Sequence, residues 1–261
     1  MSIRIESRDN ALIKRFIKLS SDRKFRKETG EMVCEGGKML EEALSSGVAV
    51  QAVLASDDAT VSLSLLRQAE ETGAKLYTCP PALLEKVSNV KTPQGVMFSC
   101  SRPVTSLDAL DGAKRLMVLE GLQDPGNLGT IMRTADAFAL DGIILCEGCV
   151  DPTSPKVVRA TMGAAFRLPI AAAGLEQTAA FLKAQNLPLY ATALSEKSVP
   201  LTTVDLHRAA VMIGNEGRGI TQKAAELSDK LIIIPMKGSA ESLNASVAAS
   251  IIMYEMCRGG N

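Results

Sequence analysis

With 261 residues, the chain is long enough for two modest domains or one large one around a real core. Its 29 Lys and Arg balance 29 Asp and Glu, which excludes a uniformly basic nucleic-acid binder, and with no Trp the core must be largely aliphatic. No apolar run approaches the ~20 residues that span a bilayer, and the charged opening "MSIRIESRDNALIKRF" lacks a signal-peptide core. The expected location is therefore the cytoplasm, with no membrane partner.

The charge is unevenly spread. Residues 1–27 hold nine Lys and Arg against three acids, a local patch that suits either phosphates or a solvated helix face. Ile13, Phe16, Ile17 and Leu19, set among Lys and Arg, predict an amphipathic helix over 7–20. A second helix is expected at 36–46. Then come strand 50–56, helix 60–72, strand 75–79, helix 80–88 and strand 95–100. This series reads as a small α/β domain over residues 1–100. The polar stretch "SRPVTSLDALDGAK" (101–114) reads as a linker.

Residues 115–261 then alternate again. Strands are expected at 115–121, 142–148, 166–171, 187–193, 209–217 and 230–236. Helices are expected at 127–139, 154–163, 175–185, 220–227 and 244–258. Near-continuous aliphatic strands bounded by helices signal a parallel sheet covered on both faces. Cys146 and Cys149 form a lone CxxC after the strand that begins at Gly142. Without a second pair or nearby His, the pattern points to reduced structural thiols and to no metal site.

In such sheets, ligands bind beyond the carboxyl ends of the strands, and three of those ends are unusual. In "LEGLQDPGNLGTIMRTADAF" (119–138), Asn127 is placed to cap a helix and Arg133 follows six residues later. "VMIGNEGRGI" (211–220) crowds three glycines behind a buried strand, in an order that is not the dinucleotide fingerprint. No phosphate-binding P-loop is present either. "IIIPMKGSAESLNASVAASI" (232–251) breaks a strand–helix junction with more polar residues than capping by Ser242 or Asn244 requires.

Together, in this order and spacing, the three stretches resemble the motifs of the SpoU-type (TrmH-like) branch of the SPOUT methyltransferases. Those enzymes methylate ribose 2′-hydroxyls of RNA. "VDPTSPKVVRATMGAAFRLPI" (150–170) also resembles that family, and the likeness covers about residues 115–258. "NALIKRFIKL" and "CEGGKMLEEAL" are similar to the RNA-binding domain, related to a ribosomal-protein fold, that many members carry.

The resemblance implies an α/β protein: a C-terminal parallel-sheet domain tied into a deep trefoil knot, plus a small N-terminal RNA-binding domain. It implies S-adenosyl-L-methionine as cofactor, held by Gly214, Asn215, Gly217, Ile234, Pro235, Met236 and Leu243, with no metal. It implies a catalytic set of Arg133, Asn127, Glu216, Ser242 and Asn244. Arginine almost never deprotonates, so the expected role of Arg133 is to hold a phosphate and stabilise a developing alkoxide. Asn127 is expected to orient Arg133 or the ribose. Family members pair through the C-terminal domain, so a homodimer is expected, and the small-residue face of Ala245, Ala248 and Ala249 fits either that or intrachain packing. Lys14, Arg15, Lys18 and Arg23 are the candidate RNA contacts. The preferred substrate is 23S rRNA. A tRNA substrate, or a non-catalytic RNA-binding protein that retains the fold, are the alternatives.

Overall fold

Helices start in this chain where a side chain accepts the first free N–H groups. Asn10, Asp22, Ser62, Asp124, Ser154, Thr221 and Asn244 each do so at the head of a helix. A computed structural model describes residues 2–90, 92–102, 104–239 and 241–258. Pro103 of the expected linker and Ala240 of the third loop lie outside the described residues. The chain divides into two units, Met1–Pro103 with Thr153–Arg167, and Val104–Pro152 with Leu168–Asn261.

The first unit runs β1 (Ile3–Arg4), α1 (Ala11–Ser21), α2 (Arg23–Thr29), β2 (Glu31–Glu35), α3 (Gly37–Ser45), β3 (Val50–Ser56), α4 (Leu63–Glu71), β4 (Lys75–Cys79), α5 (Pro81–Val87) and β5 (Val96–Ser101). Its sheet has the order β1-β4-β3-β5-β2, parallel across β1, β4 and β3 and antiparallel at β5. Ile13, Phe16 and Leu19 of α1 pack with Leu83, Leu84 and Val87 of α5 over Val33, Leu54 and Met97. The apolar stripe of α1 is the one its sequence predicts. Elements α2, β1 and β2 were not foreseen.

The second unit contributes β6 (Val104–Thr105), β7 (Arg115–Leu119), α6 (Pro125–Ala137) and β8 (Gly142–Leu145). The chain next forms α7 (Pro155–Ala160), which packs on β2 within the first unit. It returns as β9 (Ile170–Ala172), α8 (Leu175–Ala184), β10 (Leu189–Thr192), β11 (Val199–Pro200), β12 (Ala209–Ile213), α9 (Gln222–Leu227), β13 (Lys230–Ile233) and α10 (Ala245–Cys257). The sheet order is β11-β13-β10-β12-β7-β8-β9-β6, and every pair is parallel.

Period-two alternation splits the buried strand residues between two layers. Leu116, Val118, Ala210 and Met212 point to Leu175 and Leu182 of α8 and Ala224 of α9. The intervening Met117, Leu119, Val211 and Ile213, also buried, point to the face where α10 meets β12 and α6 meets β8. A parallel sheet covered on both faces needs such unbroken aliphatic strands.

Two expectations need correction. The stretch 101–114 is not a bare linker, because Val104–Thr105 pairs with β9 and Leu107–Leu110 forms a 3-10 turn that buries Leu110. Helix α6 begins at Pro125 with Asp124 as its cap, not at Asn127. Proline suits a first helical position because it has no N–H to leave unpaired.

All six cysteines are free, and only Cys257 is not fully buried. Burial pushes the Cys146 thiol up to about 12 and the Cys149 thiol up to about 11, so neither is a useful thiolate near neutrality. Titration of the native chain with a disulfide reagent is expected to label Cys257 quickly and the other five only after denaturation. Fast labelling of Cys146 or Cys149 would contradict this packing.

Candidate active site

Strand order reverses beside β7, where β8 lies on one side and β12 on the other. The loops leaving β7 and β12 therefore face each other at the carboxyl edge of the sheet, the usual ligand position in open α/β folds. Glu120 directly follows β7, is buried, and its carboxylate accepts from the Thr221 N–H at 2.8 Å and the Thr221 hydroxyl at 2.7 Å. Thr221 also caps α9. The loop after β12 is thereby tied at its exit.

Its entrance is tied by Asn215. The Asn215 side-chain amide donates to the Gly121 carbonyl at 2.8 Å, and its oxygen accepts from Gly217 and Arg218 N–H at 3.0 and 3.1 Å. Backbone bonds of 2.9 Å in both directions join Asn215 to Gly219 and close the loop on itself. Gly214 must be glycine here, because a Cβ would lie 2.1 Å from the Gly219 carbonyl carbon and 2.3 Å from the Ile220 nitrogen.

Glu216, at the crown of this loop, reaches across to the loop after β7. Its carboxylate accepts from Gln123 and Asp124 N–H at 3.2 and 2.9 Å and from the Asn127 side-chain amide at 3.1 Å. The Asn127 oxygen accepts in turn from the Asn244 amide at 3.0 Å, and the Asn244 oxygen caps α10 through Ser246 and Val247 N–H. One chain of side-chain hydrogen bonds thus joins all three loops. Burial raises the Glu216 pKa, but bonds from Asp124, its own N–H, Asn127 and Gln123 outweigh it and leave the carboxyl below the ordinary value.

The loops after β12 and β13, with the end of β10, enclose a cleft of about 510 Å³, within the range of small-molecule sites. Thr192–Leu194, Ile213–Ile220, Ile232–Ile234, Met236, Glu241–Leu243, Ala245 and Ala248 form its wall. Of the expected cofactor residues, Gly214, Asn215, Gly217, Ile234, Met236 and Leu243 are in that wall, as are Glu216 and Ser242. Pro235 is exposed and is not part of the wall.

Arg133 stands apart from this cluster. It is exposed on α6, and among the described residues its side chain bonds to none of Asn127, Glu216 and Asn244. Six residues at 100° each put it on a different face of the helix from Asn127. Asn127 orients Glu216 and Asn244 in this structure, rather than Arg133.

In the first unit, Lys14 pairs with Asp9, Arg15 pairs with Glu31 and stacks near Phe25, and Lys18 lies 5.3 Å from the Phe25 ring centre. Arg23 is exposed. Ala245 and Ala249 are buried within the second unit, where α10 packs on α6, so this part of the small-residue face serves intrachain packing.

Sequence reading missed Glu120, Asp124, Thr192, Leu194 and Thr221. Signals existed for three of them. Glu120 is a lone charge ending an aliphatic strand, Asp124 precedes a proline, and Thr221 precedes a helical run.

Known proteins resemble this chain in sequence and fold. Residues 114–254 match the SpoU rRNA Methylase family and residues 10–97 match the MRM3-like substrate binding domain. The 23S rRNA (guanosine(2553)-2'-O)-methyltransferase RlmP of Bacillus subtilis is 33% identical, covering 97% of this chain and 98% of that one. The AdoMet-bound rRNA methyltransferase from Sinorhizobium meliloti superposes with a TM-score of 0.88 at 30% identity, over 98% of this chain and 97% of that one. The SpoU methyltransferase AviRb from Streptomyces viridochromogenes, in complex with AdoMet, gives 0.86 at 26% identity, over 95% and 97%.

Two changes test the geometry. Glu216→Gln is expected to weaken cofactor binding by about tenfold, since a charge-assisted acceptor of this kind contributes about 1.5 kcal/mol. A carboxyl with a lowered pKa stabilises the fold above its unfolded value, ~4.3, and that contribution fades as pH falls through the folded value. The Tm difference between wild type and this variant should therefore be largest above about pH 4.3 and shrink below it. Gly214→Ala should abolish cofactor binding in calorimetry, and retained binding would contradict the close approach of the loop.

Proposed function

The chain belongs to the SpoU rRNA methylase family, and on that premise we propose that it transfers a methyl group from S-adenosylmethionine to a ribose 2′-hydroxyl of rRNA, with 23S rRNA the preferred substrate. The observation that carries this reading is the Glu216–Asn127–Asn244 chain, which ties the head of α6 to the two loops that line the cleft.

The cleft suits the cofactor. Ile213, Ile232, Ile234, Met236 and Leu243 offer apolar surface for an adenine and a thioether chain, and Glu216 and Glu241 offer negative charge for a sulfonium. When bound, S-adenosylmethionine supplies an activated methyl on a cationic sulfur. The residues of the chain then have two tasks, to position the ribose oxygen and to accommodate its proton. Arg133 presents an exposed guanidinium, which fits it to hold a substrate phosphate and stabilise negative charge on the oxygen. Asn127, Glu216 and Asn244 keep the loops in register, and Ser242 adds a hydroxyl to the wall.

The finer parts of this reading have separate supports. A deep trefoil knot agrees with the position of β13, the last strand, inside the sheet between β10 and β11. A homodimer through the C-terminal unit agrees with an exposed apolar hollow formed by Phe138, Val247, Ile251 and Tyr254, where Tyr254 is 53% exposed. Recognition of RNA through Lys14, Arg15, Lys18 and Arg23 agrees with the match of residues 10–97 to a substrate-binding domain. Among the described residues no helix is long and apolar enough to cross a membrane, in keeping with action on rRNA in the cytoplasm.

The test is incubation with tritiated S-adenosylmethionine and RNA from a bacterium lacking the gene, followed by separation of rRNA from tRNA. Label in 23S rRNA at an alkali-resistant linkage is expected. Label confined to tRNA would replace the substrate, and loss of both label and cofactor binding would overturn the enzyme reading. Arg133→Ala should lower methylation at least ~100-fold while cofactor affinity stays nearly unchanged. Retained turnover would remove Arg133 from the catalytic set.

A further inference from the structure

Residues Thr153–Arg167 fall within the sequence that matches the methylase family, yet they fold with the N-terminal unit. Val157, Val158 and Thr161 are buried there, while Lys156, Arg159 and Met162 are exposed. The exposed three recur at every third position, so they form one stripe along α7 and its exit. Neither the Lys156 nor the Arg159 side chain has an ion-pair or hydrogen-bond partner among the described residues. The nearby Glu42 is already held by Arg167 and Lys38.

Met162 is the unusual member. It is 54% exposed and its backbone is left-handed, with φ 52. Helix exits favour Gly or Asn in that conformation. Among the described residues, the other two non-glycine residues with positive φ, Ala139 and Asn186, carry smaller side chains. The neighbours of Met162 dictate its backbone. Thr161 is fully buried, its hydroxyl donates to the Val158 carbonyl at 2.6 Å, and it accepts from the Ala165 N–H at 3.3 Å. Gly163 has φ 98, and a Cβ there would lie 2.9 Å from the Glu42 side chain. A glycine at 162 would relieve the strain, so folding alone gives no reason for an exposed thioether. Strain held in place by its surroundings is a pointer to function.

We infer that the Lys156–Arg159–Met162 stripe is an RNA-docking element. Lys156 and Arg159 take backbone phosphates, and Met162 packs its polarizable thioether against the face of an unstacked base. This rests on the reading that the substrate is RNA. Two cations in line with an apolar side chain, without a partner among the described residues, match a single-stranded segment, which offers phosphates and a base face side by side.

The experiment uses the full chain with 23S rRNA transcribed in vitro, and Met162→Gly as the main variant. Glycine at φ 52 should raise Tm, while kcat/KM for the RNA falls about tenfold and the Kd for S-adenosylmethionine is unchanged. Met162→Leu, which keeps the apolar bulk, should retain most activity. The Lys156→Ala, Arg159→Ala double variant should weaken RNA binding and reduce the slope of log K against log salt by about 1.4, or ~0.7 per phosphate on single strands. A Met162→Gly protein with full activity on the RNA, or with a lowered Tm, would overturn the role of Met162. An unchanged salt slope would overturn the phosphate contacts. A wild-type chain that neither binds nor methylates this RNA would bring down the RNA reading and this inference with it, a result visible before any variant is made.

Discussion

The Glu216 carboxylate is the interaction on which the functional end of the second unit depends. It gathers two backbone N–H groups from the loop after β7 and one side-chain amide from the first turn of α6, and Asn127 passes the connection on to Asn244. The partners are far apart in sequence, by 89 positions for Asn127 and Glu216 and 117 for Asn127 and Asn244. A parallel sheet leaves its loops at one edge with no ladder to pair them. Side chains must then supply the bonds that hold those loops in a fixed relation. The lowered pKa of Glu216 is the electrostatic expression of that work.

Around this clamp, the labour is divided by residue chemistry. The strands β7, β8 and β12 are almost wholly aliphatic and buried, and they give stiffness without specificity. Polar residues are spent at the strand ends, as Glu120, Asn215 and Thr221 show. Gly214 completes the arrangement by letting two stretches of backbone meet where a methyl group could not fit. The cleft is therefore a product of close backbone approach and loop clamping, and it contains little of the apolar core itself.

The excursion of Thr153–Arg167 adds a second theme. A stretch that matches one family by sequence is built, in space, into the other unit. Buried Val157, Val158 and Thr161 anchor it, and the opposite edge is left to charge and to a strained Met162. Function carried on such an edge is invisible to any reading that assigns each stretch of chain to one domain.

Much was nevertheless legible beforehand. Near-continuous aliphatic runs located the strands of the parallel sheet, and the stripe of Ile13, Phe16 and Leu19 located α1, because burial is written directly into local sequence. The unusual strand ends within 119–138, 211–220 and 232–251 marked the three loops. Short elements such as β1, β2 and α2 escaped notice, since a few residues carry too little periodicity to stand out. The cap of α6 was misplaced because Asn127 and Asp124 are both capable of capping, and only the fold showed that Asn127 was engaged elsewhere. The sequence by itself determined the sheet class and the loops that carry the chemistry, because hydrophobic period and turn residues act over short range. Tertiary structure alone decided that Asn127 joins Glu216 to Asn244, that Arg133 stands clear of them, and that Met162 is turned outward, because each depends on contacts between residues the chain order keeps apart.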